Sequence, residues 1–513
     1  MGGAEAYNAV DDFIDGNVDK GFGDKAAFVD AQRILTYGEL QTASNQMANV
    51  LSGLGLNKQS RIAMLMLDSV DFPIVYWGAF RAGVVPVCLN TLLTCDQYHY
   101  LLADSEVEAL FVCADLLPVV EPLFRHLDGL HHIVVVGDGD NTYPILKDLL
   151  ARAGDAYETV VTRARDIAFW LYSSGSTGDP KGVLHKHTSL QYVAKHFGQG
   201  VLGISHNDVV YSAAKLFFAY AQGAGMAIPM SVGATTILLA ERPTPCSVLE
   251  VLKRYQPTMF FGVPTLYASM LADPACQPDN ASQNLRLCIS AGEALPEDVG
   301  ANWKKRMGVD IIDGVGSTEM LNTFLSNRPG SVRYGTSGHE FDGYKLRLVD
   351  ECGADVDVNT IGELLVCGGS AAVGYWNKPE KTRETFVGDW VHTGDKYYRD
   401  GDGFYYFCGR TNDMFKVSGR WVSPFEVEQA LVSHPAVLEA AVVAQQDDEG
   451  LTKPKAFVVL NGAYAGVEMF QTLKAHVKKT VGPWKYPRWI TFVEDLPKTA
   501  TGKILRYKLR GEL

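Results

Sequence analysis

The chain has 513 residues and a formal net charge of −13, with 47% hydrophobic and 20% charged residues. This length exceeds one ordinary hydrophobic core and predicts about two to four globular domains. The acidic balance argues against binding to nucleic acid or to an anionic membrane surface, while local basic sites for phosphates stay compatible with it.

No targeting or membrane-spanning segment is predicted. The first residues lack the basic start and apolar run of a signal peptide. Residues 216–240 carry no formal charge, but glycine, proline and polar residues interrupt them, so they predict a buried helix, a turn near 231–233 and a core strand over 237–239. The nine cysteines are scattered without a C-x-x-C pair, which favours reduced core residues and a cytoplasmic location.

The first third of the chain alternates short β-type runs with amphipathic segments. Buried strands are predicted at 61–67, 84–88, 109–113 and 133–137, and a helix over 72–81. This alternation predicts an α/β architecture of mostly parallel sheets covered by helices on both faces. Further strands at 258–262 and 286–290 end in small or polar residues, and the carboxyl ends of such strands are candidate walls of a ligand site.

The predicted secondary structure changes towards the C-terminus. Alternating runs over 344–408 predict an antiparallel β region. The last hundred residues predict a small α+β domain, with helices at 424–433 and 467–479 and strands at 440–443, 456–460 and 489–493. We therefore predict a large domain over residues 1–411, with a β-rich part from about 335, and a C-terminal domain over 412–513.

Residues 172–182 form a glycine-rich stretch with four Ser/Thr hydroxyls, three glycines and Lys181. Glycines allow successive backbone N–H groups to converge on one anion, so the stretch predicts a loop that holds a phosphate chain. It is not a Walker motif, because Lys181 follows Asp179-Pro180 and precedes Gly182. Taken alone, a solvated Ser/Gly linker explains it equally well.

Four further stretches place a charged residue beside small-residue turns. Glu319 ends the run 313–319 and is suited to Mg²⁺ or a ribose, and Asp395 ends the run 390–395 and is suited to ribose hydroxyls. Arg410 lies beside the predicted domain boundary, and Lys503 follows Gly502 near the C-terminus. In isolation, helix caps, ordinary turns and solvated surface residues account for each of these stretches.

Together and in this order, these stretches resemble the adenylate-forming superfamily of acyl-CoA synthetases, luciferases and peptide-synthetase adenylation domains, over nearly the whole chain. Within it, the chain resembles the aryl-CoA ligases that take benzoate or 4-hydroxybenzoate. The stretches that carry this second resemblance are residues 212–220, 316–320, 416–419, 422–424 and 451–456.

The resemblance implies activation of a small aromatic carboxylic acid with MgATP to an acyl-adenylate and pyrophosphate, followed by transfer of the acyl group to CoA. Glu319 would lie on the metal side of the triphosphate, and Asp395 and Arg410 would bind ribose. The residues implied for the phosphates are Ser173, Ser174, Gly175, Ser176, Thr177, Gly178 and Lys181, and Thr318 is implied for ATP binding. Those implied for adenine are Gly292, Glu293, Ala294, Asp313, Gly314 and Val315, where Val315 replaces an aromatic residue common in the superfamily.

The resemblance also implies that the C-terminal domain is mobile. Lys503 would bridge the carboxylate and the α-phosphate during adenylation, and the domain would then rotate about a hinge at Asn412, where the family has Asp or Lys. Rotation would bring a second loop to the site for thioester formation. That loop comprises Lys416, Ser418, Gly419, Arg420 and Trp421.

By family position, the aryl acid would contact seven residues: Ala219, Tyr220, Val263, Gly292, Gly316, Asn322 and Thr323. Benzoate ligases carry His-Ile where this chain has Asn322-Thr323. A buried polar side chain without a partner costs about 1–3 kcal/mol, so a ring hydroxyl is the economical explanation and favours 4-hydroxybenzoate. The alternative is that Asn322 faces the backbone.

Two rival functions stay open at this point. One is an adenylation domain that loads a carrier protein, and the other is a nucleotide sensor without turnover. A luciferase-like oxygenase is disfavoured, because no peroxisomal Ser-Lys-Leu tail ends the sequence. The expected partners are the aryl acid, ATP and CoA, without nucleic acid or membrane, and a homodimer is the assembly considered.

Overall fold

The computed structural model describes residues 6–139, 142–175, 178–417, 420–461, 468–498 and 504–510. The strands are β1 (Ala26–Val29), β2 (Ile34–Thr36), β3 (Arg61–Leu65), β4 (Val85–Cys88), β5 (Ala109–Cys113), β6 (His132–Val136), β7 (Ile167–Gly175), β8 (Gly178–Lys186), β9 (Val209–Ser212), β10 (Thr235–Ile237), β11 (Met259–Gly262), β12 (Leu287–Ser290), β13 (Ile311–Gly316), β14 (Thr323–Ser326), β15 (His339–Glu340), β16 (Tyr344–Val349), β17 (Gly362–Gly368), β18 (Gly374–Tyr375), β19 (Phe386–Val387), β20 (Trp390–Arg399), β21 (Tyr405–Arg410), β22 (Phe415–Val417), β23 (Arg420–Val422), β24 (Val437–Gln446), β25 (Thr452–Leu460) and β26 (Trp489–Phe492).

The α-helices are α1 (Tyr37–Gly53), α2 (Asp71–Ala82), α3 (Cys95–Ser105), α4 (Leu117–Val120), α5 (Leu146–Arg152), α6 (His187–Val193), α7 (Ala219–Ala221), α8 (Ile228–Met230), α9 (Pro245–Tyr255), α10 (Pro264–Ala272), α11 (Glu297–Met307), α12 (Pro379–Thr385), α13 (Pro424–Val432), α14 (Glu468–Val481) and α15 (Arg506–Arg510). Short 3₁₀ or π turns occupy Asp11–Asp15, Val18–Phe22, Ala114–Leu116, Glu121–His126, Ala194–Gln199, Gln222–Ala227 and Pro278–Asn280.

Local sequence signals explain where several helices begin and end. The α1 helix begins at a capping box, in which the Glu39 N–H donates to the Thr36 hydroxyl and the Thr36 N–H donates to the Glu39 carboxylate. The α2 helix ends at Gly83, whose φ of 69° lies in the left-handed region that glycine adopts without strain. Both helices bury an apolar face against the sheets.

Two large sheets form the body of the molecule. One has nine strands in the order β15-β14-β13-β12-β11-β9-β10-β1-β2, and the other has seven in the order β18-β8-β7-β4-β3-β5-β6. Their central strands are parallel, and antiparallel strands form both edges of the first sheet and the β18-β8 edge of the second. The other edge of the second sheet, β6, is parallel to β5. The largest core cluster includes side chains from both sheets, for example Met259 and Met64, so the two sheets share one core.

A third sheet and a separate small unit follow. The third sheet is antiparallel, in the order β16-β17-β20-β19. The β21 strand pairs with residues 395–399 of β20, whereas β19 pairs with residues 390–391. Beyond β21, the hairpin β22-β23 and the sheet β24-β25-β26 pack with α13 and α14 around a core of their own, which includes Val422, Val442 and Leu473. This confirms the predicted α/β class with a β-rich part and a small α+β C-terminal unit.

The structure refines several predicted elements. Most predicted strands and helices are present within one or two residues of their expected ends, but β24 extends three residues beyond the predicted strand at each end and β25 begins four residues earlier than predicted. The β10 strand begins at Thr235, two residues before the expected start. It pairs there with β9 and β1, whose register starts at Val209 and Phe28. Within the described ranges, no helix combines the length and apolarity needed to span a membrane.

Candidate active site

Most of the glycine-rich stretch, which was predicted as a loop, lies in the antiparallel strands β7 and β8. β7 runs through Gly175 and β8 resumes at Gly178, with Ser173 opposite Lys181 across the ladder. Ser176 and Thr177 lie outside the described part of the chain, and only the backbone is described for Ser174, Gly175 and Gly178. The Ser173 hydroxyl oxygen is buried without a hydrogen-bond partner among the described residues. An orphaned buried hydroxyl of this kind is suited to a ligand oxygen.

Lys181 and Glu319 meet at Tyr375. The Lys181 Nζ lies 4.2 Å from the centroid of the Tyr375 ring, and the Tyr375 hydroxyl donates a 2.7 Å hydrogen bond to Glu319 Oε1. Burial lowers the pKa of Lys181, while the Glu319 carboxylate opposes this effect. The structure therefore brings together two residues that lie 138 positions apart in the sequence.

The turn that carries Glu319 is held from two sides. His185 Nε2 lies 2.8 Å from the Thr318 carbonyl oxygen, and the Ala372 N–H donates to the Glu319 carbonyl at 2.8 Å. Burial lowers the pKa of His185 to about 4, so the neutral ring donates from Nε2. At the end of the turn, Leu321 has a φ of 67°, which is costly for a branched side chain. The fold thus fixes the carboxylate through its backbone as well as its side chain.

Asp395 and Arg410 are directly opposite each other on β20 and β21. Arg410 Nε lies 3.0 Å from Asp395 Oδ1, and Arg410 Nη1 donates to the Thr393 carbonyl at 3.1 Å. The Asp395 side chain is buried, whereas the Arg410 side chain is 52% exposed. Burial lowers the pKa of Lys181, and the charge of Arg410 lowers it further, so the two cations are close enough to repel each other.

The expected adenine residues lie at the carboxyl ends of β12 and β13. Gly292 is exposed and has a φ of 96°, and Glu293, Ala294 and Val315 are partly buried, while Gly314 is buried in β13. Asp313 is buried, and its Oδ1 has no partner among the described residues, although Oδ2 accepts from the Leu295 N–H at 3.4 Å. Burial raises the pKa of Asp313 to about 8.

The proposed aryl pocket corrects one sequence argument. Asn322 Nδ2 donates to the carbonyls of Tyr220 at 3.0 Å and Ala219 at 3.4 Å, and Asn322 Oδ1 accepts from the Thr323 N–H at 2.8 Å. The Asn322 amide therefore faces the backbone, and its polarity gives no support for a ring hydroxyl. Thr323 Oγ1, in contrast, is buried without a partner within the described ranges.

Three other residues of the expected pocket are Tyr220, Val263 and Gly316. The Tyr220 hydroxyl lies 3.3 Å from the carbonyls of both Gly262 and Ile289, next to the partly buried Val263. A Cβ on Gly316 would approach the Asn322 carbonyl oxygen to 2.4 Å. Glycine is needed at position 223 for the same reason, because a Cβ there would lie 2.1 Å from Asn322 Nδ2.

The predicted hinge lies where the C-terminal helix meets the domain boundary. Asn412 is exposed, and its carbonyl accepts from Arg510 Nη2 at 3.3 Å. Asp413 is paired with Arg510, and its Oδ2 lies 3.8 Å from Arg506 Nη1. Lys503 lies outside the described residues, but Lys498 and Ile504 on either side of its loop pair as a β-bridge.

The expected thioester loop is only partly described. Lys416 lies in β22, with its Nζ 3.7 Å from Glu351 Oε1. Ser418 and Gly419 lie outside the described residues. For Arg420 and Trp421, the backbone pairs with Val417 and Lys416, and their side chains are not described.

Sequence reasoning missed Tyr375, His185 and Thr393. Tyr375 and His185 contact Glu319 and its turn only because β18 pairs with β8 and the Glu319 turn packs beside them. Thr393 supplies a carbonyl to Arg410, and its hydroxyl accepts from the Asp395 N–H at 3.1 Å. The one sequence signal for it was its position between His392 and Gly394 in a run already singled out.

The chain is similar to AMP-binding enzymes and CoA ligases over nearly its whole length. A family model described as AMP-binding enzyme matches residues 17–376, and one described as AMP-binding enzyme C-terminal domain matches residues 426–503. A 4-hydroxybenzoate–CoA/benzoate–CoA ligase of Rhodopseudomonas palustris is 54% identical over 98% of this chain and 94% of its own. A benzoate–CoA ligase of Thauera aromatica is 52% identical over 99% and 96%.

Solved structures agree with these relatives. A benzoate CoA ligase from Burkholderia xenovorans has a TM-score of 0.91 and 45% identity over 98% of this chain and 100% of its own. An anthranilate CoA ligase in complex with anthranoyl-AMP has a TM-score of 0.95 and 40% identity over 99% and 97%. These similarities confirm the resemblance inferred from the motifs, and the chain belongs to the AMP-binding enzyme family of adenylate-forming enzymes.

Proposed function

We propose that the chain is an AMP-forming aryl-CoA ligase, which activates benzoate or 4-hydroxybenzoate with ATP and transfers the aroyl group to CoA. The observation that carries this proposal is the convergence of Lys181, Glu319 and the Asp395–Arg410 pair on one site. The relatives at 52–54% identity, whose names specify these acids, support the choice of substrate class.

The nucleotide would lie across the edges of the three sheets. The β7–β8 hairpin and Lys181 would hold the β- and γ-phosphates, with the orphaned Ser173 hydroxyl as one donor. The buried Asp395 carboxylate, oriented by Arg410, would accept hydrogen bonds from ribose hydroxyls. The unpartnered Oδ1 of Asp313 would take an adenine N–H donor.

The residues present fit a magnesium ion held mainly by the nucleotide. One carboxylate oxygen of Glu319 accepts a hydrogen bond from the Tyr375 hydroxyl, and the other accepts none within the described residues. No group of three His, Cys, Asp or Glu residues that would hold a metal is found in the described ranges. Mg²⁺ typically binds through one or two carboxylates together with substrate phosphates and water, so Glu319 with ATP is a suitable set. Magnesium would supply charge neutralisation on the phosphates.

The first half-reaction forms one bond and breaks another at the α-phosphorus. A carboxylate oxygen of the aryl acid attacks this phosphorus, and the bond to the bridging oxygen of pyrophosphate breaks. Lys503 would stabilise the charge that develops between the carboxylate and the α-phosphate. In the second half-reaction, the CoA sulfur attacks the acyl carbon, loses its thiol proton to solvent, and AMP leaves.

The second half-reaction would use the C-terminal domain in another orientation. We place the boundary between residues 411 and 412, with Asn412 as the hinge. Rotation would remove Lys503 and bring Lys416, Ser418, Gly419, Arg420 and Trp421 towards the acyl-adenylate. A hinge of this kind needs only a few residues that absorb a large change in φ and ψ. We assign the reaction to the cytoplasm, and a homodimer stays the assembly considered.

The aryl acid would lie beside Tyr220, Val263 and Thr323. The Thr323 hydroxyl is buried without a partner among the described residues, and a ring hydroxyl would provide one at little desolvation cost. Benzoate would leave this hydroxyl unpaired. This difference keeps 4-hydroxybenzoate as the slightly favoured substrate, with Thr323 instead of Asn322 as the reason.

The test is ATP-dependent pyrophosphate release with a panel of aryl acids, with and without CoA. An aryl-CoA ligase releases pyrophosphate with benzoate or 4-hydroxybenzoate and yields an aroyl-CoA thioester. Release without any CoA-dependent product would favour a carrier-loading enzyme, and nucleotide binding without release would favour a sensor. Either result would refute the proposed function.

A further inference from the structure

We propose that Tyr375 is a positioning residue of the nucleotide site, which holds Lys181 on its ring and Glu319 on its hydroxyl and so keeps these two from pairing with each other. The inference rests on the proposed function, because both residues are assigned there to ATP and its metal. Tyr375 itself would touch neither substrate nor metal.

Strand pairing explains why Tyr375 reaches both partners. Tyr375 is opposite Val183 in the antiparallel pair of β18 and β8, so Lys181, two residues away on the same face of β8, is its diagonal neighbour. The Lys181 Nζ lies 4.2 Å from the ring centroid. This is the range in which an aromatic face attracts a cation without neutralising its charge.

The Tyr375 hydroxyl defines how Glu319 can be used. It donates to Glu319 Oε1 at 2.7 Å, and hydrogen bonds to an ionised acceptor are stronger than neutral ones. Burial and the Glu319 carboxylate raise the pKa of Tyr375, so the hydroxyl keeps its proton as a donor. One carboxylate oxygen is therefore fixed, and the other stays available to a hard cation.

Lys181 and Glu319 lie near each other but are not paired. The carboxylate acts on the pKa of Lys181, yet in the described structure no salt bridge joins the two side chains. A direct ion pair would occupy Lys181, which the phosphates need, and Glu319, which the metal needs. The contacts of Lys181 and Glu319 with Tyr375 are separate, and each is weaker than a direct ion pair between the two side chains. ATP and its metal can therefore bind Lys181 and Glu319 without first breaking an ion pair.

The Tyr375 ring is itself held in place. The backbone N–H of Tyr375 donates to Thr382 Oγ1 at 3.0 Å. The Phe386 ring packs edge-on against the Tyr375 ring, with the two centroids 5.5 Å apart. At the preceding Gly374, φ is 153° and a Cβ would lie 2.7 Å from Thr382 Cγ2. Contacts from α12 and β19 thus fix the ring that orients Lys181 and Glu319.

The experiment is a double-mutant cycle on ATP affinity, measured by titration calorimetry at saturating Mg²⁺. Tyr375→Phe keeps the ring but removes the donor, so the freed Glu319 carboxylate can pair with Lys181. We expect about a tenfold loss of ATP affinity, the scale of a hydrogen bond to a charged group. In the Glu319→Gln background the same change should cost less than about twofold, because no carboxylate remains to capture Lys181.

Tyr7→Phe is the matched control, since the Tyr7 hydroxyl also donates to a carboxylate, Asp12 Oδ2 at 2.9 Å, and neither residue is assigned to this site. It should leave ATP affinity unchanged. Equal losses from Tyr375→Phe in both backgrounds, or a loss no larger than that of the control, would overturn the inference. A wild-type chain that binds no ATP would instead refute the proposed function.

A second readout follows Lys181 directly. The rate at which acetic anhydride acetylates Lys181, followed by peptide mass spectrometry against pH, reports its pKa. Tyr375→Phe should raise the midpoint, because a paired ammonium keeps its proton, and Glu319→Gln should reverse that rise. If Tyr375→Phe does not fold, Glu319→Gln alone decides: a midpoint lowered by less than about one unit supports the absence of an ion pair, and a larger fall contradicts it.

Discussion

The two halves of the proposed active site are held by different kinds of contact. In the large domain, the buried His185 and Tyr375 fix the Glu319 turn by hydrogen bonds of 2.7–2.8 Å. Across the domain boundary, the Lys416 Nζ of the C-terminal part lies 3.7 Å from Glu351 Oε1 of the large domain, and these side chains are 50% and 71% exposed. Exposed ion pairs contribute about 0–1 kcal/mol each.

This difference suggests that the nucleotide half is rigid and that the C-terminal half can move. The nucleotide half is preorganised by the packed sheets, so it loses little freedom when ATP binds. The exposed Lys416–Glu351 pair across the boundary is inexpensive to exchange, which suits a domain proposed to change orientation between two half-reactions. Four variants can break or sharpen this contrast, in addition to the Tyr375 cycle.

The largest effect is expected from Lys503→Ala. A preorganised donor at the developing charge is worth about 10²–10³ in rate, so adenylate formation should fall by at least that factor. Thioester formation from supplied aroyl-adenylate should survive. Single-turnover measurements of both half-reactions provide the check, and equal losses would remove Lys503 from its assigned role.

Asn412→Pro should restrict the hinge. Proline fixes φ near −65°, so the domain can keep the adenylation geometry but not reach the second orientation. We expect thioester formation to fall by up to about 10²-fold, with a smaller loss in adenylation. Matched losses in the two half-reactions would contradict the assignment of Asn412 as the hinge.

Gly223→Ala tests how tightly the preorganised half is packed. The new Cβ would lie 2.1 Å from Asn322 Nδ2, and overpacking of this kind costs about 1–3 kcal/mol. The KM for the aryl acid should rise while the KM for ATP changes little. Gly53→Ala at the end of α1, where nothing lies within 4 Å of a Cβ, is the control and should leave both unchanged.

Asp313→Asn addresses the pH dependence of the same half. Because burial raises the pKa of Asp313 to about 8, the folded chain keeps a proton that the unfolded chain releases near pH 4. The stabilisation from this group is complete below that value and is lost as pH rises towards 8, by about 1.4 kcal/mol per pH unit. The variant should flatten this decline.

Thermal melting of both proteins from pH 5 to 9 measures the effect. The melting temperature of the wild type should fall relative to that of Asp313→Asn as pH rises. Parallel curves would show that Asp313 is already ionised in the folded chain at neutral pH.

The sequence by itself determined the α/β class, the family and the order of the motifs. Apolar runs such as residues 109–113 identify buried strands because period and composition are local properties. The glycine-rich run and Glu319, Asp395 and Arg410 were identified in the same way, since each lies in a short stretch of unusual composition.

Only the tertiary structure decided how these groups face one another. Tyr375 carries no local signal, and its contacts with Lys181 and Glu319 exist because β18 pairs with β8. The Asn322 amide looked available to a substrate, but the helix turn at Tyr220 supplies its partners. Hydrogen bonds and cation–π contacts depend on distances between residues far apart in the chain, and those distances are set by packing.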